Sequence, residues 1–598
     1  MELVHHILLN LGFEFASSKK LSQKSMRKPF ELSNGAYIKD FIVNHEVFTI
    51  ALVIPNDPHI ELPSAYAVNM PDAYKDKLIP HISHEGYLCY VEKKEADWEP
   101  NDLYSLYEDI IAQIQLTLDK SAQSFQRQEN GDLEFENEFV SYWVPDSFLY
   151  LLSQIDKSSS NLVTFLCSSI DENSPNNSEF ITIDTGNKKP NEYFDDNALN
   201  KWLSQRKLEV SNKDNLGIKT HYISVSPDKL AGVNWPPSSL GNLTKWLEEV
   251  NCSARDHLIY SLTKKKEKKH ILLLNIDKQD PIAVYIELNV QAFDFHRNAK
   301  NTNKKRKNKT SFHSLAAIVR SNKFCSHFKR FSVIKADTST LQSRDKKREL
   351  QLSSQRIALV GCGTIGGYLA SLLIRNGAGC SSEQFDLYDD DILMPHNFSR
   401  HVLTSSSFGK NKALELASNL THSIHTIKSV HGFASSFPLN ESLLSKYDII
   451  IDATGRPPFS KRLAHVIRLL PQLKKPSIIH AFNDGNGRAS KVFIDTGHSC
   501  YKCMTMDRVI HQDNADTRFA SSIFDKSERK VSCGNTYTIY DASVSHITAA
   551  MAQEAVLNTL ESNLPWSYSE FILDEQFRTG KRRILKRQPK CPICYEDS

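Results

Sequence analysis

Two short cysteine pairs carry the clearest chemistry in the chain: Cys500-Tyr501-Lys502-Cys503 and Cys591-Pro592-Ile593-Cys594. Each pair presents two thiolates from one tight turn, and two such turns complete a closed tetrahedral four-cysteine site for Zn2+. Four sulfurs leave no open position on the metal, so its role is structural. The wide spacing of the pairs means that the metal staples a late segment back onto an earlier one. A single CxxC could serve redox chemistry, but two pairs point to zinc. Cys533 lies outside the pairs, in Val531-Ser532-Cys533-Gly534-Asn535, ahead of an apolar helical run from His546 to Leu560. A cysteine just before a helix N-terminus can be exposed with a lowered pKa, which suits a nucleophile. Cys167, Cys252, Cys325, Cys362 and Cys380 are expected to be buried packing residues.

A second set of residues suits phosphate. The run Ile357-Ala358-Leu359-Val360 leads into Gly361-Cys362-Gly363-Thr364-Ile365-Gly366-Gly367. Gly361, Gly363 and Gly366 let the backbone turn tightly and approach an anion at a helix N-terminus. The next strand ends in Tyr388-Asp389-Asp390-Asp391, where an acidic residue is placed for a ribose hydroxyl. Beyond it come His396-Asn397-Phe398-Ser399-Arg400-His401 and Gly409-Lys410-Asn411-Lys412. Arg400 and Lys412 supply donors for phosphate oxygens. A hydride-transfer enzyme has no use for such a triphosphate clamp, which points to a nucleoside triphosphate. The strand Tyr447–Ile451 delivers Asp452 to the edge of the sheet where ligands bind, and a carboxylate there can hold Mg2+ against phosphates.

These residues need elements to position them, and the pattern divides the chain of 598 residues into three regions. Residues 1–150 open with a helical pattern. Strands follow at Ala36–Ile42 and Val47–Ile54, with a helix from Leu103 to Leu118, giving an α+β domain. Residues 151–340 form a mixed α/β linker domain. Ile271–Ile276 and Ile282–Val290 read as two strands joined by a turn, and the stretches 158–160 and 173–177 read as loops. Residues 341–598 alternate strand and helix, as in a parallel, doubly wound Rossmann-like sheet. The formal charge is +3, from 73 basic and 70 acidic residues, too balanced to argue for nucleic acid or a membrane surface. The basic run Lys304-Lys305-Arg306-Lys307 has no interleaved aromatics and reads as a solvated loop. The absence of a signal-peptide pattern or a long apolar run leads us to expect a cytoplasmic enzyme.

The segment from 341 resembles the adenylation domains of the E1, ThiF and MoeB family, which show a GxGxxG, an acidic strand end, N-x-x-R-Q and G-x-x-K. The resemblance implies that the nucleotide is ATP, that Asp389 binds ribose, that Asn397, Arg400 and Lys412 handle the phosphates, and that Cys533 attacks an acyl adenylate. It also implies a homodimer through this domain, and an arginine offered to ATP by Arg330 or Arg344. Two departures stand out. His401 replaces the usual glutamine. The family's Asp-x-x-Asp reads Asp452-Ala453-Thr454-Gly455, so Asp452, Asp390 or Asp391 must serve Mg2+.

Residues 79–118 look like the active-site stretch of ubiquitin-conjugating E2 enzymes. Ile79-Pro80-His81-Ile82 stands for H-P-N-I, Gly86-Tyr87-Leu88-Cys89 for G-x-I-C, and Trp98-Glu99-Pro100 for W-x-P before a helix. Cys89 takes the place of the thioester cysteine. His81 takes that of the asparagine held to stabilise the oxyanion. The fused order resembles the bacterial E2–E1 fusions of CBASS anti-phage systems, which activate the C-terminus of a cGAS-like nucleotidyltransferase and conjugate it to target lysines. A sulfur-carrier activating enzyme of ThiF/MoeB type is an alternative, although it gives Cys89 no task. A scaffold with a degenerate ATP site, suggested by Gly455, is another.

Overall fold

The computed structural model describes the chain except residues 1, 25–33, 76, 84, 128–138, 156–160, 171–177, 190–191, 194–196, 212–216, 227–231, 265–266, 290–311, 344–350, 472–474, 496, 509–510, 513–514, 520–527, 533–534, 539 and 595–598. The expected loops at 158–160 and 173–177, the basic run at 304–307, Arg344 and Cys533 therefore lie outside the described residues.

Three principal sheets organise the rest. The first is antiparallel, in the order Glu14–Ala16, Ala36–Val43, Glu46–Val53, Ser64–Asn69, Tyr87–Leu88. Asn44 and His45 connect its central hairpin with φ of 51° and 67°, the left-handed pair that matches strand twist in a two-residue loop. Phe48, Ile50 and Leu52 point from this sheet into a core shared with Tyr107, Ile110 and Ile114 of the helix Leu103–Arg127. Their spacing on one helical face is the apolar stripe that buries the helix.

The second sheet has eight strands. Its order is Ile218–Val225, Lys269–Ile276, Ile282–Leu288, Cys325–Lys335, Ser147–Leu151, Ser178–Asp184, Leu162–Ser169, Leu208–Val210. Ile218–Val225 also pairs with Leu162–Ser169, closing the sheet on itself. The expected hairpin is present, with Lys278 in its turn at φ 62°.

The third sheet runs Val430–Phe433, Phe385–Tyr388, Ile357–Val360, Ile449–Asp452, Ser477–Asp484, Ala489–Asp495, Tyr568–Ile572. The first five strands pair in parallel and the last two pairings are antiparallel, so the sheet is mixed rather than wholly parallel. Helices Thr364–Arg375 and Ala542–Asn558 pack on one face through Leu369, Leu373, Ala549 and Ala552; Pro457–Leu469 packs on the other through Leu463 and Ile467. Ile357–Val360 lies between two parallel neighbours whose crossovers take opposite directions, which opens a crevice at its C-terminal end. Among the described residues no helix is long and apolar enough to cross a membrane.

Candidate active site

The glycine loop occupies that crevice. Gly361 has φ +91°, a left-handed value that favours glycine. At Gly366 a Cβ would lie 1.9 Å from the Gly361 carbonyl oxygen, so only glycine lets the helix approach the loop. Gly363 precedes Thr364 at the helix N-terminus, and a Cβ there would meet nothing within 4 Å. A cavity of about 830 Å3 opens above the loop, lined by Gly361, Gly363, Asp389, Asp390, Asp391 and Lys412 among others.

The acids of this cavity differ in state. Asp389 accepts Cys362 N–H at 2.7 Å and Asp391 N–H at 2.9 Å; burial nevertheless pushes its pKa up. Asp390 accepts the Ser436 hydroxyl at 2.5 Å. Asp391 pairs with the Lys412 ammonium; burial alone would raise its pKa, but that pairing outweighs it and leaves it lowered. Lys412 is itself buried and is one of the residues that line the cavity.

Asp452 is placed differently from the expectation. It is 2% exposed and already takes His480 Nδ1 at 2.9 Å, the Ser460 hydroxyl at 2.5 Å, and Thr454 N–H and hydroxyl at 3.1 and 2.6 Å. Burial would raise its pKa, but these donors hold it below the usual carboxylate value. A carboxylate saturated by four donors is a structural anchor of the strand end. The oxygen donors that fit Mg2+ in the cavity are those of Asp390 and Asp391.

His401 turns a departure into a support. Leu403 N–H donates to its Nδ1 at 3.1 Å, which places the proton on Nε2, and Nε2 donates to the Cys362 carbonyl at 2.8 Å. Burial lowers its pKa, which favours the neutral ring. Asn397 and Arg400 sit on a short 3-10 turn, Pro395–Arg400, outside the cavity lining. Asn397 Oδ1 accepts Met394 N–H at 2.9 Å, and the Arg400 guanidinium stacks 4.5 Å over the Tyr540 ring. Tyr540 in turn bonds Thr364 Oγ at 3.0 Å. Arg330 belongs to the second sheet, where its N–H donates to Asp146 at 2.8 Å.

The four paired cysteines come together. Cys500, Cys503, Cys591 and Cys594 are all buried, with all four sulfurs within 4.8 Å of one another. Contacts of 3.8, 3.5 and 3.3 Å link Cys500 to Cys503, Cys500 to Cys591 and Cys503 to Cys594. Sulfurs about 2.3 Å from a tetrahedral zinc stand about 3.8 Å apart, so the donor set fits that ion. A second cluster, Asp484, His511 and Asp516, has its cation built in: Lys491 Nζ lies 2.6 Å from each aspartate. Of the cysteines expected to pack, Cys167, Cys362 and Cys380 are buried, whereas Cys252 is exposed and Cys325 half-buried. The latter two lie at a helix start and a strand start, where their sulfurs reach the carbonyls of Glu248 and His327; Cys325 still packs against the core of the second sheet, whereas Cys252 does not pack as expected.

Cys533 is one of the residues not described; the strands Glu528–Ser532 and Asn535–Thr538 flank it. Cys89 follows the last strand of the first sheet and is half-buried. Its N–H donates to the His81 carbonyl at 2.8 Å. His81 adopts φ +63° and its own N–H donates to the Tyr142 hydroxyl at 2.6 Å. Sequence reasoning missed Tyr142, Tyr540, His480 and Ser460, since each acts across a gap in sequence with no spacing to mark it.

The ThiF family matches residues 337–593, and prokaryotic E2 family B matches residues 14–151. The ATP-dependent ubiquitin transferase-like protein Cap2 of Vibrio cholerae is 46% identical over 99% of both chains. The chain belongs to the Cap2 family. The Cap2 protein of Escherichia coli is 42% identical over 99% of both chains, and that of Pseudomonas aeruginosa 24% identical over 86% of both. Membership makes this chain an E1–E2 fusion transferase, with an E2-type unit and a ThiF-type adenylation unit in one polypeptide.

Proposed function

We propose that this Cap2-family enzyme adenylates the C-terminal carboxylate of a protein, a cGAS-like nucleotidyltransferase by the CBASS resemblance, and conjugates it to target lysines in the cytoplasm. The substrate carboxylate oxygen attacks the α-phosphorus of ATP and pyrophosphate leaves. The Cys533 thiolate attacks the acyl carbon, releasing AMP. Cys89 takes the acyl group by thioester exchange, and a lysine amine then displaces the Cys89 thiolate and loses a proton. Thiolates suit both steps as strong nucleophiles and good leaving groups.

In this reading Gly361, Gly363 and Gly366 let the phosphates approach, Asp389 receives the ribose, and Lys412, Arg400 and Asn397 bind phosphate oxygens. Lys412 must exchange Asp391 for phosphate, and Arg400 must leave Tyr540. Asp390 and Asp391 would hold Mg2+, which neutralises phosphate charge. The four-cysteine cluster would hold structural Zn2+. His81 would stand beside the oxyanion formed at Cys89. We further propose dimerisation through the adenylation unit.

The observation that carries this reading is the presence, in one chain, of a glycine-loop cavity and a partly exposed Cys89 on a loop of its own sheet. ATP–pyrophosphate exchange tests it. Exchange should depend on the partner nucleotidyltransferase and vanish when its C-terminal carboxylate is blocked as the amide. Exchange indifferent to that carboxylate would reject the proposed substrate.

A further inference from the structure

The loop that leads through His81 to Cys89 is held from two sides. Within its own sheet and helix, Ser121 Oγ donates to the Pro80 carbonyl at 2.8 Å, and Cys89 N–H donates to that of His81 at 2.8 Å. The remaining holds come from the second sheet and its core. Leu78 N–H donates to the Val233 carbonyl at 2.9 Å, and Gly232 N–H donates back to Leu78 at 3.0 Å. The Leu78 side chain belongs to the second core, with Trp143, Trp235 and Trp246, rather than to that of the first sheet. Tyr142 is 7% exposed in the same core, on the short turn Phe139–Trp143. That turn is tied to the second sheet, since Trp143 Nε1 donates to the Phe331 carbonyl at 2.9 Å.

Among the described residues of the loop, His81, where Tyr142 acts, is the one non-glycine residue with positive φ. A residue with a Cβ adopts φ near +63° unfavourably, and such a conformation persists only where surroundings hold it. The Tyr142 hydroxyl accepts the His81 N–H at 2.6 Å on one side of this residue, and Cys89 N–H takes its carbonyl on the other. One tyrosine from a different core therefore sets the peptide that places the thiol.

We propose that Tyr142 is a positioning residue for transfer from Cys89, and that the second sheet thereby forms part of the transfer site instead of a mere spacer. Without its hydroxyl the left-handed turn at His81 relaxes, and the Cys89 sulfur shifts relative to an incoming amine. Adenylation, which lies in the third sheet, does not sense the change. This rests on the reading that Cys89 carries the acyl group.

Full-length Tyr142→Phe keeps the packed ring and loses the acceptor. Wild type and variant are loaded with ATP and the partner nucleotidyltransferase, stripped of ATP, and chased with free lysine. Exchange and Cys89 loading should be unchanged. The limiting rate of discharge should fall about three- to tenfold, the scale of one hydrogen bond, at the same half-saturating lysine concentration. A merely structural lesion would lower exchange, loading and discharge together and would overturn the proposal. Equal discharge rates after normal loading would overturn this inference alone. Absence of any thioester on wild-type Cys89 would overturn it together with the reading it rests on. Should Tyr142→Phe not fold, Tyr142→Leu, which lacks the same acceptor, carries the test: the same selective loss is expected, and wild-type discharge overturns the proposal.

Discussion

Replacing His401 by alanine removes two hydrogen bonds at once from beneath the glycine loop. The Cys362 carbonyl loses its donor at 2.8 Å and Leu403 N–H loses its acceptor at 3.1 Å. The site is 5% exposed, so water replaces these partners poorly. Two buried groups left unsatisfied cost about 2–5 kcal/mol together. For a unit of this size that is a fall of roughly 5–15 °C in the melting of the C-terminal region. Exchange should fall with it, because Cys362 sits within the loop that faces phosphate. His401→Gln offers one donor and one acceptor and should restore both properties. The variants also separate by pH. Burial lowers the folded pKa of His401, and its unfolded value is near about 6.5. The unfolded chain thus binds more protons, so this residue's contribution is intact above that pH and is lost as pH falls toward the folded value. His401→Gln should lose that part of the acid sensitivity. Scanning calorimetry and exchange between pH 5 and 8 measure both effects. An alanine variant that melts and exchanges like wild type, or a glutamine variant with unchanged acid sensitivity, would refute the reasoning.

Other consequences are as direct. Protein purified without chelator should carry one zinc per chain, and Cys503→Ser should destabilise the C-terminal region, since structural zinc contributes to folding; metal analysis finding no zinc contradicts this. Gly366→Ala would put a Cβ 1.9 Å from the Gly361 oxygen, so exchange should fall by about 100-fold or more, while Gly363→Ala, with nothing within 4 Å, should leave stability within about 1 kcal/mol. Arg400→Ala should weaken adenylation by roughly 2–3 kcal/mol, one charge-assisted contact; unchanged exchange kinetics would move the phosphate contact elsewhere.

What the sequence made legible was local. Gly361 to Gly367 between a strand and a helix, and two CxxC pairs, are short patterns whose geometry follows from spacing. The hairpin whose turn holds Lys278 follows from turn chemistry in the same way. What stayed hidden depends on distance along the chain. The second sheet pairs Ser147–Leu151 with Cys325–Lys335 across nearly the whole middle region, and no periodicity announces such a partner. Asp452 stands where a metal ligand would be expected, yet His480 and Ser460, from a neighbouring strand and the following helix, consume its oxygens. The sequence marks an acid at a strand end but not how many donors converge on it. His401 looked like a lost glutamine until Leu403 and Cys362 fixed its tautomer.

The relay between two thiols is the centre of the account, and a thiol-sensitive gel shift on two variants tests it most directly. With ATP and the partner nucleotidyltransferase, Cys89→Ala should accumulate a reducible adduct on Cys533 and form no conjugates. Cys533→Ala should retain ATP–pyrophosphate exchange but leave Cys89 empty. A reducible adduct on Cys89 in the absence of Cys533 would contradict the relay, because Cys89 would then attack the adenylate itself.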